Sequence, residues 1–370
     1  MMKNKNLSII GILKIKTNHT RNAIMPANYI KHLSYSLLTG VIFLATQSSS
    51  FAAKPIELKF SHYLPTGHGL HRDFIQPWAE ELEKRTQGKV KVKIFTGGSA
   101  LGKITRQADQ VKAGVVDISH GIHSIPRGRF PRTSIMHLPF MGKSADAISR
   151  TLWALYQQGQ FDKEYDGFKV LALHGHNAGL IHTKDKPIKT IADMKGLRLR
   201  TPNPTVSLML EHLGATPVGM PPSVVYESIQ KGVLDGSLFP WDPVRAFHLD
   251  EVTNYHMNLK AYTTTFFVVM NMRKYKRLPA DVRKVIDEMS GESLVAQFGE
   301  WWNQWDAKGL EKAVEKGNTI IEFSEDERQK FHSFVQPMID ARLAEMKKQG
   351  VSDPEGLYKA AKTLINSLEK

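Results

Sequence analysis

The sequence predicts an α/β protein built around parallel strands. Three observations carry this. Between residues 56 and 119, strand-like alternation and helical spacing follow one another in the order β-α-β-α-β, the order that builds a parallel sheet. The same theme returns between residues 168 and 232. The chain from about residue 278 onward is mostly helical in its spacing.

Each element has its own warrant. At 55–62, Ile56, Leu58 and Phe60 alternate with Glu57 and Lys59, which makes a strand. A turn from Leu64 to His68 leads into a helix over about 70–85, which Gly88 ends. Val90, Val92 and Ile94 alternate as a second strand, and Gly97, Gly98 and Gly102 mark a loop. A helix near 104–113 is expected to lead into a short third strand at 115–119. Further on, 168–173 reads as a buried strand, and Thr190 with Asp193 forms a T-x-x-D capping box. Residues 197–201 alternate as a strand. Asn203-Pro204 then opens a helix, with an N-cap residue followed by proline at the first helical position. Val206, Met209, Leu210 and Leu213 share one face of it, and Gly214 stops it. A further β-α unit covers 216–218 and 223–231, closed by Gly232. Residues 263–270 are apolar but short, which suits a buried strand and not a membrane span. Leu278-Pro279 opens a helical pattern to about 315 that Gly291 interrupts; Trp301 and Trp305 share its packing face. Helices over about 324–349 and 353–370 finish the chain.

The 370 residues suffice for two ordinary domains, and 41% hydrophobic with 23% charged residues is globular composition. Cysteine is absent, which excludes disulfides, cysteine-ligated metals, thiol nucleophiles and a thioether-linked lipid anchor. Residues 1–53 read as a secretory signal peptide: Lys31 and His32 precede an apolar run from Leu33 to Ala45, and Ser50-Phe51-Ala52 suits a cut after Ala52. The stretch before the run is unusually long, and a start at Met25 gives an ordinary signal length. The first 52 residues carry Lys3, Lys5, Lys14, Lys16, Arg21 and Lys31 and no acid, so removing those six charges from +14 leaves +8 on the mature chain. Lysine and arginine are mixed with acids throughout it. The expectation is therefore a solvated basic surface and no nucleic-acid partner. The signal peptide predicts an exported protein.

Several ordered strings then resemble one family. The run Asp193-Met-Lys-Gly-Leu-Arg-Leu-Arg-Thr-Pro202 is similar to the central signature of the substrate-binding proteins of tripartite ATP-independent periplasmic (TRAP) transporters. Gly214-Ala-Thr-Pro217 and the segment from Val225 to Gly236 resemble the next parts of that signature. Upstream, Lys89-Val-Lys-Val-Lys-Ile94, Leu101-Gly-Lys103, Gly114-Val-Val-Asp-Ile118, Gly128-Arg-Phe-Pro131 and Leu138-Pro-Phe140 resemble the same family. The likeness runs from about Ile56 to Leu343. It implies a two-lobe, periplasmic-binding-protein-like α/β fold with a long lobe-spanning helix. It also implies capture of an organic acid by hinge closure, and delivery of that acid to the membrane subunits of a TRAP permease. The lobes are expected at 54–177 with 266–305, and at 178–265, with 306–370 as C-terminal helices packed on both. No catalysis, cofactor or metal is expected, and a monomer is.

Arg200 is the expected ligand anchor. It ends a strand just before a helix N-terminus, where open α/β sheets bind anions. Its planar fork matches a carboxylate, and the resemblance places the family's carboxylate-binding arginine at this second arginine of the L-R-L-R run. Arg198 shares its face by period 2, so both side chains are within range of the cleft by pattern alone. Two departures bear on the ligand. The region Asn177-Ala-Gly-Leu-Ile-His182 lacks the second arginine of some diacid-binding members, which favours a monocarboxylate, aromatic or 2-oxo/2-hydroxy in kind. Asp235-Gly236 is followed by Ser237-Leu-Phe-Pro-Trp-Asp242, without the Glu-Trp pair of metal-using members. In that loop Phe239 and Trp241 offer aromatic walls and Asp242 an acceptor for a hydroxyl or amino group. His62, His120 and Asn177 lie at or near strand ends and are the remaining candidate ligand contacts. His120-x-x-His123 and His174-x-His176 hint at metal, but no H-E-x-x-H pattern or local acid completes a set. A ligand-sensing periplasmic protein is an alternative that shares the same closure. An exported hydrolase is less favoured, since no G-x-S-x-G elbow is present and Gly98-Ser99-Ala-Leu-Gly102 is only a glycine loop.

Overall fold

The computed structural model describes residues 54–369. The signal peptide, its expected start at Met25 and the cut after Ala52 lie outside the described residues. Eleven strands are described: β1 Ile56–Ser61, β2 Val90–Phe95, β3 Ile118–Ile122, β4 Phe168–Gly175, β5 Gly179–Thr183, β6 Arg198–Thr201, β7 Thr216–Gly219, β8 Gly236–Phe239, β9 Tyr255–Tyr262, β10 Thr265–Asn271 and β11 Thr319–Glu322. They form two sheets. The first has the order β2-β1-β3-β10-β4 and the second β11-β9-β5-β8-β6-β7.

In the first sheet β1 runs parallel to β2, with Ile56 opposite Val90, and to β3, with Phe60 opposite Ile118. The parallel expectation stops there, because β10 enters antiparallel between β3 and β4. The reason is the path of the chain. It passes from β4 into β5 of the second sheet, builds that sheet, and returns from β9 into β10. The pairs β4/β10 and β5/β9 are both antiparallel, so two adjacent strands cross together from one sheet to the other. The short connections at 176–178 and 263–264 are the crossing points, one set of backbone shared by two lobes.

Most local signals hold. Asn203 Oδ1 accepts from Val206 N at 2.9 Å and caps the helix Pro204–His212, and Gly214 ends that turn at φ +86°. The Thr190/Asp193 capping box forms on a short 3₁₀ turn. Ser324 and Glu327 make a second one at the start of Glu325–Lys348. Three expectations change. The third strand starts at Ile118, not 115: Gly114 is left-handed and Val115 is 50% exposed, so the chain is still turning there. The pattern over 278–315 breaks at Gly291, which takes φ +69°, as expected, and a second time at 296–297, which gives three helices, Ala280–Glu288, Glu292–Val295 and Phe298–Glu315. The segment 306–370, read as helices only, also holds β11, which pairs parallel with β9. Four residues, Thr319-Ile-Ile-Glu, carry too little periodicity to announce a strand.

The helix Phe298–Glu315 is the third element shared by the lobes. Near its start Gly299 lies against Asp146 of helix Ala145–Gln157. Farther on, Gly309 packs against the Trp241 carbonyl, where a Cβ would stand 2.0 Å from that oxygen. Trp301 and Trp305 stack at 6.2 Å and bury the helix on the first lobe, as their spacing predicts. Among the described residues no helix is long and apolar enough to cross a membrane.

The interior is rich in histidine. Ten of the 13 histidines among the described residues are buried. Several are paired ring to ring: His62 with His71 at 3.0 Å, His120 with His174 at 3.1 Å, and His182 with His256 at 2.7 Å. Such a bond needs one ring to donate and the other to accept, which two neutral imidazoles do. Burial supplies the neutrality. It pushes His62 and His137 down to about 3 and His176 down to about 4.

Candidate functional site

A cavity of about 460 Å³ of non-atom space, partly open to solvent, lies where the two sheets meet. The first lobe gives it Tyr63, His68 and Trp302, and the second gives Arg200, Phe239 and Phe247. His176, Tyr262 and Thr264 come from the crossing strands and their connections.

Arg200 occupies the carboxyl end of β6 and is 4% exposed. Its fork is fixed from two sides: Nη1 donates to the Leu238 carbonyl at 3.0 Å and Nε to the Met220 carbonyl at 3.2 Å. The guanidinium carbon stands 4.1 Å from the centre of the Phe239 ring, close enough for a cation–π contact. Burial lowers its pKa to about 10, so it stays charged at neutral pH. Among the described residues, no carboxylate forms an ion pair with it. A buried cation without a counter-charge is costly unless something anionic completes it. The hydroxyls of Tyr63 and Tyr262 act electrostatically on it; burial pushes their ionisation well up, so both stay protonated donors. Neither hydroxyl bonds to another described residue. Gly179 makes room for one of them, since a Cβ there would stand 2.2 Å from the Tyr262 ring.

The structure therefore joins two of the expected residues, Arg200 and Phe239, in one cavity wall. The other five stand elsewhere. Asp242 lies one layer back: it is fully buried, its Oδ1 accepts from Arg245 at 3.0 Å, and its Oδ2 stands 3.2 Å from Nδ1 of His68. Trp241 turns away from the cavity and packs against the rings of His182 and His256. Asn177 is a tie at the crossing point. It accepts from Ala145 N at 2.8 Å and donates to Asp306 at 3.0 Å and to Asn303 at 3.1 Å. Asp306 also accepts from Asp242 N at 2.8 Å, so one buried carboxylate holds the crossing segment and the second lobe to the shared helix. Burial raises that carboxyl to about 7. His62 faces His71 beneath the first helix, and His120 stacks with His174 inside the first lobe. A strand end names a place but not a direction: neither ring lines the cavity, and His120 stacks behind Tyr63 and Phe266, which do. Arg198 likewise does not see the cleft. It begins β6 at the outer end and makes a two-pronged pair with Asp235, Nε to Oδ2 at 3.0 Å and Nη2 to Oδ1 at 2.7 Å.

Sequence reasoning missed Tyr63, His68, Phe247, Tyr262 and Trp302. Trp302 had a signal, because it sits between two tryptophans already assigned to packing. Its ring stacks with Phe266 at 6.1 Å and lines the cavity. The others sit in turns or at strand termini where periodicity is silent.

Residues 60–346 match the family of bacterial extracellular solute-binding proteins, family 7. A TRAP solute binding protein from Rhodoferax ferrireducens, solved with copurified benzoate, is 35% identical. The match covers 84% of this chain and 98% of that one, with a TM-score of 0.80. A marine metagenome TRAP solute binding protein described as specific for aromatic acid ligands, solved with 3-hydroxybenzoate, is 34% identical over 85% and 99% of the two chains, with a TM-score of 0.80. Among curated relatives, a Comamonas testosteroni protein named outer membrane transporter protein TsaT is 26% identical over 89% of this chain and 96% of its own.

Proposed function

The chain belongs to the bacterial extracellular solute-binding proteins of family 7, and from that premise we propose that it captures an aromatic monocarboxylate for a TRAP permease. The observation that carries this is Arg200, a buried cation without a carboxylate partner among the described residues, set in an aromatic wall. In this reading the ligand carboxylate takes the free edge of the Arg200 fork and the hydroxyls of Tyr63 and Tyr262. The ring lies between Phe239 and Trp302. A single cation suits one carboxylate, and the apolar remainder of the wall suits an aromatic body. Ligands of the two solved neighbours support the same class.

The lobes we assign are 54–177 with 266–305 and 178–265, with 306–370 packed on both. Closure of one on the other about the crossing segments presents the loaded form to the permease membrane subunits. The protein acts as a monomer in the periplasm, after removal of the signal peptide near Ala52. Intact mass of the exported protein checks that cut.

The binding experiment uses protein unfolded and refolded to strip carried ligand, then titrated by calorimetry with benzoate, phenylacetate, succinate and glucuronate. Benzoate or phenylacetate is expected to bind, succinate not, and binding is expected to disappear in Arg200→Ala. Preference for succinate or glucuronate over both aromatic acids overturns the reading.

A further inference from the structure

The cavity has a second polar end. His68 lines it, and the rings that separate His68 from Arg200 can be followed contact by contact. The guanidinium lies over Phe239, Phe239 meets Phe247 at 6.2 Å, and Phe247 meets the His68 ring at 6.4 Å. A run of two aromatic rings thus links the two polar groups. Trp302 flanks His68 from the first lobe, edge to face at 6.4 Å.

His68 is held from behind. Leu70 N donates to its Nδ1 at 3.2 Å, and Asp242 Oδ2 stands 3.2 Å from the same nitrogen. Asp242 is fully buried, and Oδ2 has no hydrogen-bond donor of its own. Both protein contacts fall on Nδ1. Nε2 bonds to no described residue, and it is the nitrogen left for the cavity. A polar atom that faces a cavity without a protein partner costs free energy unless a ligand group meets it.

We propose that His68 reads a ring hydroxyl remote from the carboxylate, so that hydroxylated aromatic acids are preferred to the bare ring. This rests on the aromatic-acid reading of Arg200 and adds a second anchor to it. A phenolic hydroxyl both donates and accepts. It therefore meets Nε2 whether the imidazole proton sits on Nδ1, facing Asp242, or on Nε2. Asp242 is a positioning residue here: it orients the ring without touching the ligand. A site with a fixed polar group also discriminates against ligands that leave it unmet.

The test is calorimetry of the stripped, refolded protein with benzoate, 3-hydroxybenzoate and 4-hydroxybenzoate. At least one hydroxybenzoate is expected to bind about tenfold tighter than benzoate, the worth of one neutral hydrogen bond. In His68→Phe that ratio collapses to about one, and in Asp242→Asn it shrinks. Equal affinity for all three acids in the unaltered protein overturns the proposal without any variant, as does a ratio that survives His68→Phe. If benzoate binds and the ratio is one, only the His68 assignment fails. If no aromatic acid binds, the Arg200 reading fails with it.

Discussion

At the outer end of β6, Arg198 lies in solvent and grips Asp235 with two hydrogen bonds. At the inner end, two residues on, Arg200 is buried, pinned by two carbonyls and left without an acid. The side chains are identical and alternate onto the same face. What separates them is distance from the cleft. Arg198 has its charge satisfied already, in high dielectric, where such pairs contribute little. Arg200 is desolvated and its fork is held in place, so in the proposed reading an arriving carboxylate would meet a preorganised donor. Burial, more than residue type, decides which polar group is available for binding.

The predictions press on that lesson, from the broadest effect to the narrowest. The largest concerns the buried histidines. His62, His137 and His176 are held far below the ordinary value of 6.5. Between those low values and 6.5 the unfolded chain binds more protons than the folded one, so stability rises with pH in that window. It is complete above about pH 6.5 and drains as pH falls from there toward 4, at up to about 1.4 kcal/mol per pH unit for each such histidine. Asp306, raised to about 7, works in the opposite sense, since the folded state takes up its proton first on acidification. One acid does not offset three histidines. Circular-dichroism melts between pH 8 and 4.5 should show Tm falling steeply below pH 6; a flat profile would mean these rings are not neutral by burial.

Next is Arg200→Ala, which should weaken benzoate binding by more than a hundredfold, on the order of 3 kcal/mol for a buried charged hydrogen-bond pair. Arg200→Lys keeps the charge but loses the fork and should fall in between. Equal calorimetric Kd values for wild type and Arg200→Ala would break the comparison outright. Phe239→Leu removes the ring beneath the guanidinium and should cost about tenfold, from lost aromatic and cation–π contact. Arg198→Ala should change the benzoate Kd less than twofold. A loss there as large as at Arg200 would show that distance from the cleft does not divide the two roles.

What could be read from the sequence was local or carried by an ordered signature. Asn203 with Pro204, Gly214 and Thr190 with Asp193 each fix a cap within four residues, so their outcome needed no tertiary knowledge. Arg200 was legible because a strand end, a helix start and the L-R-L-R run coincide there. The rest of the wall was not. Tyr63, Phe239 and Trp302 are far apart in the chain and meet only after two sheets have formed. His62 and His120 stand outside the cavity lining for a related reason: alternation gives a face, but which face looks into the cleft depends on the neighbouring helices. The antiparallel entry of β10 was equally hidden, since 263–270 is apolar throughout and carries no sense of direction.

The tryptophan that sequence reading passed over gives the molecule an optical property. Trp302 lies in the cavity wall, stacked with Phe266, while Trp305 beside it is buried in the first lobe. A guest ring that settles on the Trp302 indole changes the surroundings of one of the six tryptophans. Occupancy of this protein should thus be legible in its own ultraviolet fluorescence, without a label, and Trp302→Phe should darken that signal while leaving the emission of Trp305 in place.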